Sequence, residues 1–501
     1  MSSMPRSLDR INPVFVKEIR QAVRGRTFRS SFILALVIAA VVSTAVLSNI
    51  NVDDPSALAQ SGANCFFALH LVYLFCTLVV VPVQAHRAMA SERDERTFDA
   101  LLISGLSPAQ IILGKWLGAG TTMAIFLVAM LPFFATAATL YGLDLLVALM
   151  LTLLASAVGM TLSLVGILAA CLGKTKAMGS MLMMVFLGGC GFAMMGLGGF
   201  ASQATFIDMG FGSTGEFLTA MMLLVASSGF ALFWLHGVAV ATISHPEENG
   251  MLRVRWASLS IAIFMGIAPL VLATIMPFSP GRALFPLLSS GVAFLAFFNM
   301  PTLTESTEMR VRCRYEVESG RWRRFGSWLF MPGGGSGFVL FLLQLLIAGL
   351  PTLWYLIDSR VPGVAFGDHL QVLFDEGLGG YLTTLGACVA CVAVPAFIAA
   401  RPQAKPWLRN SMRFFMVTSP LWIVFFLGML TLLLQVRGGD LFETPLNPIW
   451  AIDRNMGDLD EPGAMAFWLM VAALASLPML MMAAGQRRAL RKIRQGAEES
   501  S

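Results

Sequence analysis

Four groupings in this chain have residue types and spacings that could do chemistry. "GILAACLGKT" ends in Gly173, Lys174 and Thr175, which resembles the close of a phosphate-cradling loop. A GxxxxGK[ST] loop needs glycine at position 168, where this chain has leucine, and it joins a strand to a helix. Here the triplet ends an apolar run, so it reads as a helix end with Lys174 and Lys176 as topology anchors. Cys388 and Cys391 form a CxxC inside "GACVACVAV". With no His, Asp or second pair nearby, they read as small buried hydrophobes. His70 and His236 are the ionisable side chains left within apolar runs, and each reads as a hydrogen-bonded packing residue. The fourth grouping is "SERDERTFDALLISGLSPAQIILGKW", where seven of the nine residues from Glu92 to Ala100 are charged or polar and an apolar pattern follows at once.

The elements that must position these groups follow from composition. A chain of 501 residues that is 57% hydrophobic and 13% charged, with 37 Phe, 46 Gly and 31 Met, is not an ordinary water-soluble globule. Its mean hydropathy is +0.75. Apolar runs of the roughly 20 residues needed to cross a bilayer recur along the chain. They are continuous rather than alternating, and lipid offers no partner to unpaired backbone groups, so they predict helices. About twelve are expected, at 30–50, 63–83, 116–140, 145–172, 177–200, 217–243, 257–277, 283–300, 337–357, 381–400, 414–435 and 464–485. The expected fold class is an all-α polytopic membrane protein.

Charge sets the orientation. All but four of the 34 Lys and Arg fall on one side of that arrangement, the exceptions being Arg282, Arg360, Arg437 and Arg454. The acidic residues divide almost evenly, and only positive charge controls topology, so both termini are expected to be cytoplasmic. Every Lys, Arg, Asp and Glu is used by loops and tails, with none left for the middle of a span. An ion-coupled secondary transporter needs such a residue at depth. An intramembrane enzyme needs a reactive cluster there. These remain the alternatives from other classes. The first apolar run starts after Arg29 with no small-residue cleavage pattern, so no cleavable signal peptide is expected.

Two polar segments stand out against this background. In "NPVFVKEIRQAVRGRTFR", Asn12 is placed to cap a helix with Pro13 in its first turn. Phe15, Ile19, Ala22 and Val23 share one face while Lys17, Arg20, Arg24 and Arg26 occupy the others. That predicts a basic amphipathic helix lying in the membrane interface. Between spans two and three, Ser91 with Asp94 reads as a capping box, and Glu92, Asp94 and Glu95 suit the positive end of a helix dipole. Phe98, Leu101 and Leu102 then form an i, i+3, i+4 apolar stripe stopped by Gly105. Ser107 and Pro108 cap a second helix that runs through Lys115 into span three.

These two segments together resemble the pattern of type-2 ABC transporter permeases over about residues 11–250. In that family an N-terminal elbow helix precedes six spans. The loop after span two carries an acidic start, Gly-Thr, an acid, Leu-Leu, then Leu-Ser and Gly-Lys. Glu92 and Glu95 match the acidic start, Thr97 the threonine and Asp99 the following acid, while Leu101, Leu102, Leu106, Ser107, Gly114 and Lys115 match the later positions. Arg96 stands where the family usually has Gly, and Phe98 where it usually has Leu.

The resemblance implies an elbow helix bearing Phe15, Lys17, Glu18, Ile19, Arg20 and Val23. It also implies a cytoplasmic coupling helix, with Glu92, Asp94, Glu95, Arg96, Thr97, Phe98, Asp99, Leu101 and Leu102 docking on a separate ABC ATPase subunit. ATP and magnesium would then belong to that partner, with no cofactor, metal or catalytic residue in this chain. Membrane lipid and a second permease copy are the further partners implied, and no nucleic acid is expected. The implied activity is that of a non-enzymatic permease subunit, in the exporting direction, in the cell membrane.

The domain organisation expected is a tail and elbow helix at 1–29, a six-span permease-like domain at 30–256, a second six-span domain at 257–485 and a basic tail at 486–501. The second domain repeats the order of the first but carries no matching coupling motif, since "EMRVRCRYEVES" alternates like a strand. It reads as a degenerate repeat or an appended domain rather than a second working half. The basic run "RVRCRYEVESGRWRRF" suits lipid phosphates, a partner protein or plain solvent equally. Phe, Met and Gly in the spans suit an amphiphilic cargo and serve equally as packing material. The sequence names no substrate.

Overall fold

The computed structural model describes residues 12–48, 54–94, 106–140, 145–173, 176–206, 214–244, 249–275, 280–306, 321–352, 377–413, 415–416, 447–448, 451–452, 455 and 462–499. Among these residues there are helices and no strands. Among the described residues nine helices are long and apolar enough to cross a membrane, so the chain is a helical, multi-pass membrane protein. The chain divides into two compact units, Met1–Ser244 and His245–Ser501.

The first unit opens with α1 (Pro13–Arg24) and α2 (Arg26–Ser48). Asn12 caps α1 as expected: its side chain accepts the Val14 amide at 3.0 Å, with Pro13 in the first turn. Next come α3 (Pro55–Phe75) and α4 (Val81–Asp94), which run on through a π-bulge at Cys76–Val80. The helix therefore continues well past the expected span end near Val83. α5 (Pro108–Ala138) starts with a full capping box: the Ser107 hydroxyl accepts the Gln110 amide at 3.3 Å and the Gln110 side chain accepts the Ser107 amide at 3.0 Å. α6 (Leu145–Leu172), α7 (Lys176–Phe206) and α8 (Thr214–Ile243) complete the unit.

Glycines set how closely these helices approach. A Cβ on Gly114 of α5 would lie 2.8 Å from the Val14 Cβ, and one on Gly118 would lie 2.8 Å from the Glu18 Cβ. The two glycines are one helical turn apart, so they form a groove into which α1 settles along its Val14–Glu18 edge. Gly159 of α6 likewise admits the backbone of the π-bulge, where a Cβ would meet the Thr77 carbonyl oxygen at 2.7 Å.

The second unit contains α9 (Leu252–Ile275), α10 (Pro280–Leu303), the short α11 (Arg321–Leu329), α12 (Gly334–Ala348), α13 (Leu378–Ala400) and α14 (Pro462–Glu499). α9 and α10 stand where spans seven and eight are expected. The span expected at 414–435 and the strand-like run at 307–320 lie almost wholly outside the described residues. Cys388 and Cys391 lie on α13 and are not joined in a disulfide.

The glycine groove gives the first test. Gly114→Ala should cost about 1–3 kcal/mol, because the added methyl overpacks a contact between two helix backbones. Gly188→Ala, where nothing lies within 4 Å of the added atom, should be neutral or slightly stabilising. Thermal unfolding of both variants in mild detergent checks this, and equal melting temperatures would contradict it.

Candidate functional site

The site is built where α1, the end of α4 and the start of α5 converge. Lys115, in the third turn of α5, is 3% exposed, and its Nζ donates to Glu18 Oε1 at 2.7 Å and to the Ala88 carbonyl at 3.2 Å. The same amine stands 2.8 Å from Glu92 Oε2. Lys17 Nζ donates to Glu92 Oε1 at 2.6 Å. Two lysines and two glutamates thus form an electrically neutral cluster contributed by three helices. Glu18 and Glu92 are each only 7% exposed, while the Lys17 side chain keeps 44% of its surface. Lys115 is the buried hinge of the cluster and Lys17 closes it from outside.

Neighbouring contacts fasten the same three helices. The Asn12 amide group donates to the Gln110 carbonyl of α5. Arg93, at the end of α4, donates to the Ala170 carbonyl of α6. Two turns earlier on α4, His86 Nδ1 lies 2.9 Å from the Gly166 carbonyl, and the ring stacks on Phe186 with centroids 5.9 Å apart. The end of α4 is therefore pinned on one side to α1 and α5 and on the other to α6.

Several expectations are revised by this arrangement. Ser91 does not cap a new helix: it lies inside the last turn of α4, and its hydroxyl reaches back to the Ala88 carbonyl at 3.4 Å. The local capping-box pattern yields to the capture of Glu92 by two lysines, which keeps α4 wound through Asp94. Glu92 thus lies inside the cluster and not on an outward surface, and Asp94 is the last residue of α4. α1 packs on the protein along an edge that the sequence reading did not single out. Val14 and Glu18 are buried, Phe15, Ile19 and Ala22 are half-buried, and Val23 is 44% exposed. Lys17 and Arg20 are exposed as expected. The remaining coupling-helix positions, Glu95, Arg96, Thr97, Phe98, Asp99, Leu101 and Leu102, lie outside the described residues.

His70 is a packing residue, 1% exposed and stacked on Phe66 with centroids 5.4 Å apart. Sequence reasoning missed the role of Glu18 as a buried partner. It also missed a second buried charge site. Arg255, on the first turn of α9, is fully buried and donates to the Leu329 carbonyl, to Ser336 Oγ at 3.0 Å, to the Gly333 carbonyl at 2.9 Å and to Glu305 Oε2 at 3.1 Å. Glu305 follows α10 directly, in the place within the second unit that Glu92 holds in the first. The available signal was a charge at the lip of an apolar run in both cases.

The arrangement borders a cavity of about 330 Å³ lined among others by Glu18, Ser91 and Lys115, with Glu18 and Lys115 paired to each other. What it can do is mechanical: the chain leaves the cluster at Glu92 and returns to it through Ser107 and Lys115, so residues 95–105 are held at both ends. No protein-family model, no curated protein and no solved structure matches this chain.

The cluster makes a directional prediction. Lys115→Met should cost about 3–5 kcal/mol, because it leaves a buried carboxylate without its cation. Lys17→Met should cost far less, since that amine is half in solvent. The double variant Lys115→Met, Glu18→Met should be more stable than Lys115→Met alone, because removing both members leaves Lys17 paired with Glu92. Thermal unfolding of the three proteins checks this, and a double variant weaker than the single would refute the unpaired-charge account.

Proposed function

We propose that this chain is the membrane-spanning permease subunit of an ATP-binding cassette transporter, driven by a separate ATPase subunit that docks on residues 95–105 from the cytoplasm. The observation that carries the reading is the neutral cluster of Lys17, Glu18, Glu92 and Lys115. A coupling segment is useful only if force applied to it reaches the spans. Here both of its flanks, the α4 end and the α5 start, are tied through buried charge to α1 and run directly into apolar helices.

The resemblance of residues 11–250 to type-2 ABC permeases supports the same reading, because the residues that match its motifs include Glu92, Gly114 and Lys115, which build the clamp. The bias of Lys and Arg supports cytoplasmic termini, about twelve spans and residence in the cell membrane. Lys115, Glu92, Arg255 and Glu305 all sit near helix ends, which favours a mechanically driven permease over an ion-coupled carrier. The second unit is read as a degenerate or appended domain that keeps a buried ion pair at the corresponding place. Transport in the exporting direction is the reading that the resemblance favours.

The test is affinity purification of the tagged chain from its native membranes in mild detergent, with mass spectrometry of what accompanies it. A Walker-motif ATPase should come with the wild type. The Thr97→Asp, Leu101→Asp variant should lose at least about tenfold of it, as expected when charge enters the centre of a docked contact. Absence of any ATPase from the wild-type sample would sink the reading.

A further inference from the structure

The amphipathic α11 and the end of α14 enclose a cleft of about 350 Å³ that the transport reading does not use. Its floor is apolar, formed by Val339, Leu480, Ala483 and Ala484. Its rim carries Arg487 and Arg488, and the Arg487 guanidinium lies over the rings of Phe325 and Trp328, 5.4 and 5.8 Å from their centroids. Trp328 also lines the cleft. It is 6% exposed, and its indole Nε1 is buried with no hydrogen-bond partner among the described residues. None of the described residues lining the cleft is acidic.

A buried indole N–H without an acceptor is costly, and it needs an oxygen from outside the protein. The Arg487 guanidinium beside the ring and Arg488 on the same cleft specify that the oxygen belongs to an anion, and a guanidinium's planar fork matches a phosphate. The apolar floor specifies that the anion carries hydrocarbon. The position agrees, because α14 is apolar up to this point and then turns into "QRRALRKIRQG", as a span does on reaching the headgroup layer. We infer that Trp328, Arg487 and Arg488 form a binding site for the phosphodiester headgroup of an anionic phospholipid, with its acyl chain over Val339 and Leu480. The inference stands on the second unit alone and is independent of the transport reading.

The experiment is native mass spectrometry of the full-length chain in mild detergent, titrated separately with phosphatidylglycerol, with phosphatidylcholine of the same acyl chains and with inorganic phosphate. Phosphatidylglycerol should be retained about tenfold better than phosphatidylcholine. Arg487→Gln, Arg488→Gln should abolish that preference. Trp328→Phe keeps the ring and removes the N–H, and should lower retention about threefold. Arg488→Gln alone changes an exposed side chain, so a partial loss there keeps the test valid even if the double variant folds poorly. Equal retention of the two lipids, or retention unchanged in every variant, would overturn the assignment. Displacement of the lipid by equimolar inorganic phosphate would also overturn it, in favour of a soluble phosphate ligand. Loss of a co-purifying protein with lipid retention intact would overturn it too, and would make the cleft a protein contact.

Discussion

The first unit depends on how one amine is satisfied. Lys115 sits on a helix that enters the membrane, with almost no water around it, and a buried ammonium is tolerated only when opposite charge and hydrogen bonds replace its solvation. It finds Glu18 from α1, Glu92 from α4 and a carbonyl from the same α4 turn. Meeting that requirement fixes three helices at once. α1 must lie close enough for a glutamate to reach, which Gly114 and Gly118 permit. α4 must stay helical as far as Glu92. α5 must begin early enough to carry Lys115, which the Ser107–Gln110 capping box ensures. Charge balance then calls for a second cation, supplied by Lys17 at the wet edge.

The second unit meets the same problem with different chemistry. A lysine is a compact charge that gathers partners around a point, whereas an arginine is a planar fork that can bridge separate acceptors. Arg255 uses the fork to join two carbonyls and a hydroxyl around the α11–α12 junction to the Glu305 carboxylate that follows α10. Gly333 makes that junction possible. Its φ of +134° is open to glycine, and its amide and carbonyl both serve the ion pair, donating to Glu305 and accepting from Arg255. The lysine cluster pins the two helices on either side of residues 95–105; the arginine site locks a tight turn.

What could be read from the sequence divides along the same physical line. Features set by a few neighbouring residues were legible: the Asn12 cap, the Ser107 cap and the apolar runs that became helices. The Ser91 cap failed because a capping box is worth about 1 kcal/mol, less than the pull of a buried ion cluster on Glu92. The packing edge of α1 was not legible for a related reason. A helical wheel ranks faces by hydrophobicity, but the face that buries is the one whose neighbour has room, and Gly114 and Gly118 lie about a hundred residues away. Glu18 reads as polar and therefore exposed until its cation on α5 is known.

The family resemblance carried information that the local patterns did not. It singled out Gly114 and Lys115 as motif positions without giving either a task, and the geometry supplies one: the glycine admits α1 and the lysine holds it. This changes what the acidic start of the 91–105 segment is for. Glu92 belongs to the protein's interior and serves to hold the segment, so any docking surface must begin beyond the end of α4. A contact made there would act on a stiff base. The cluster that fixes the base also ties α1, which lies along the entry to α2, to the helices on either side of the segment. Displacement of the segment must therefore move α1, α4 and α5 together or break a neutral cluster of four charges. The second alternative is costly in a site from which water is nearly excluded, so collective movement of the three helices is the lower-energy response.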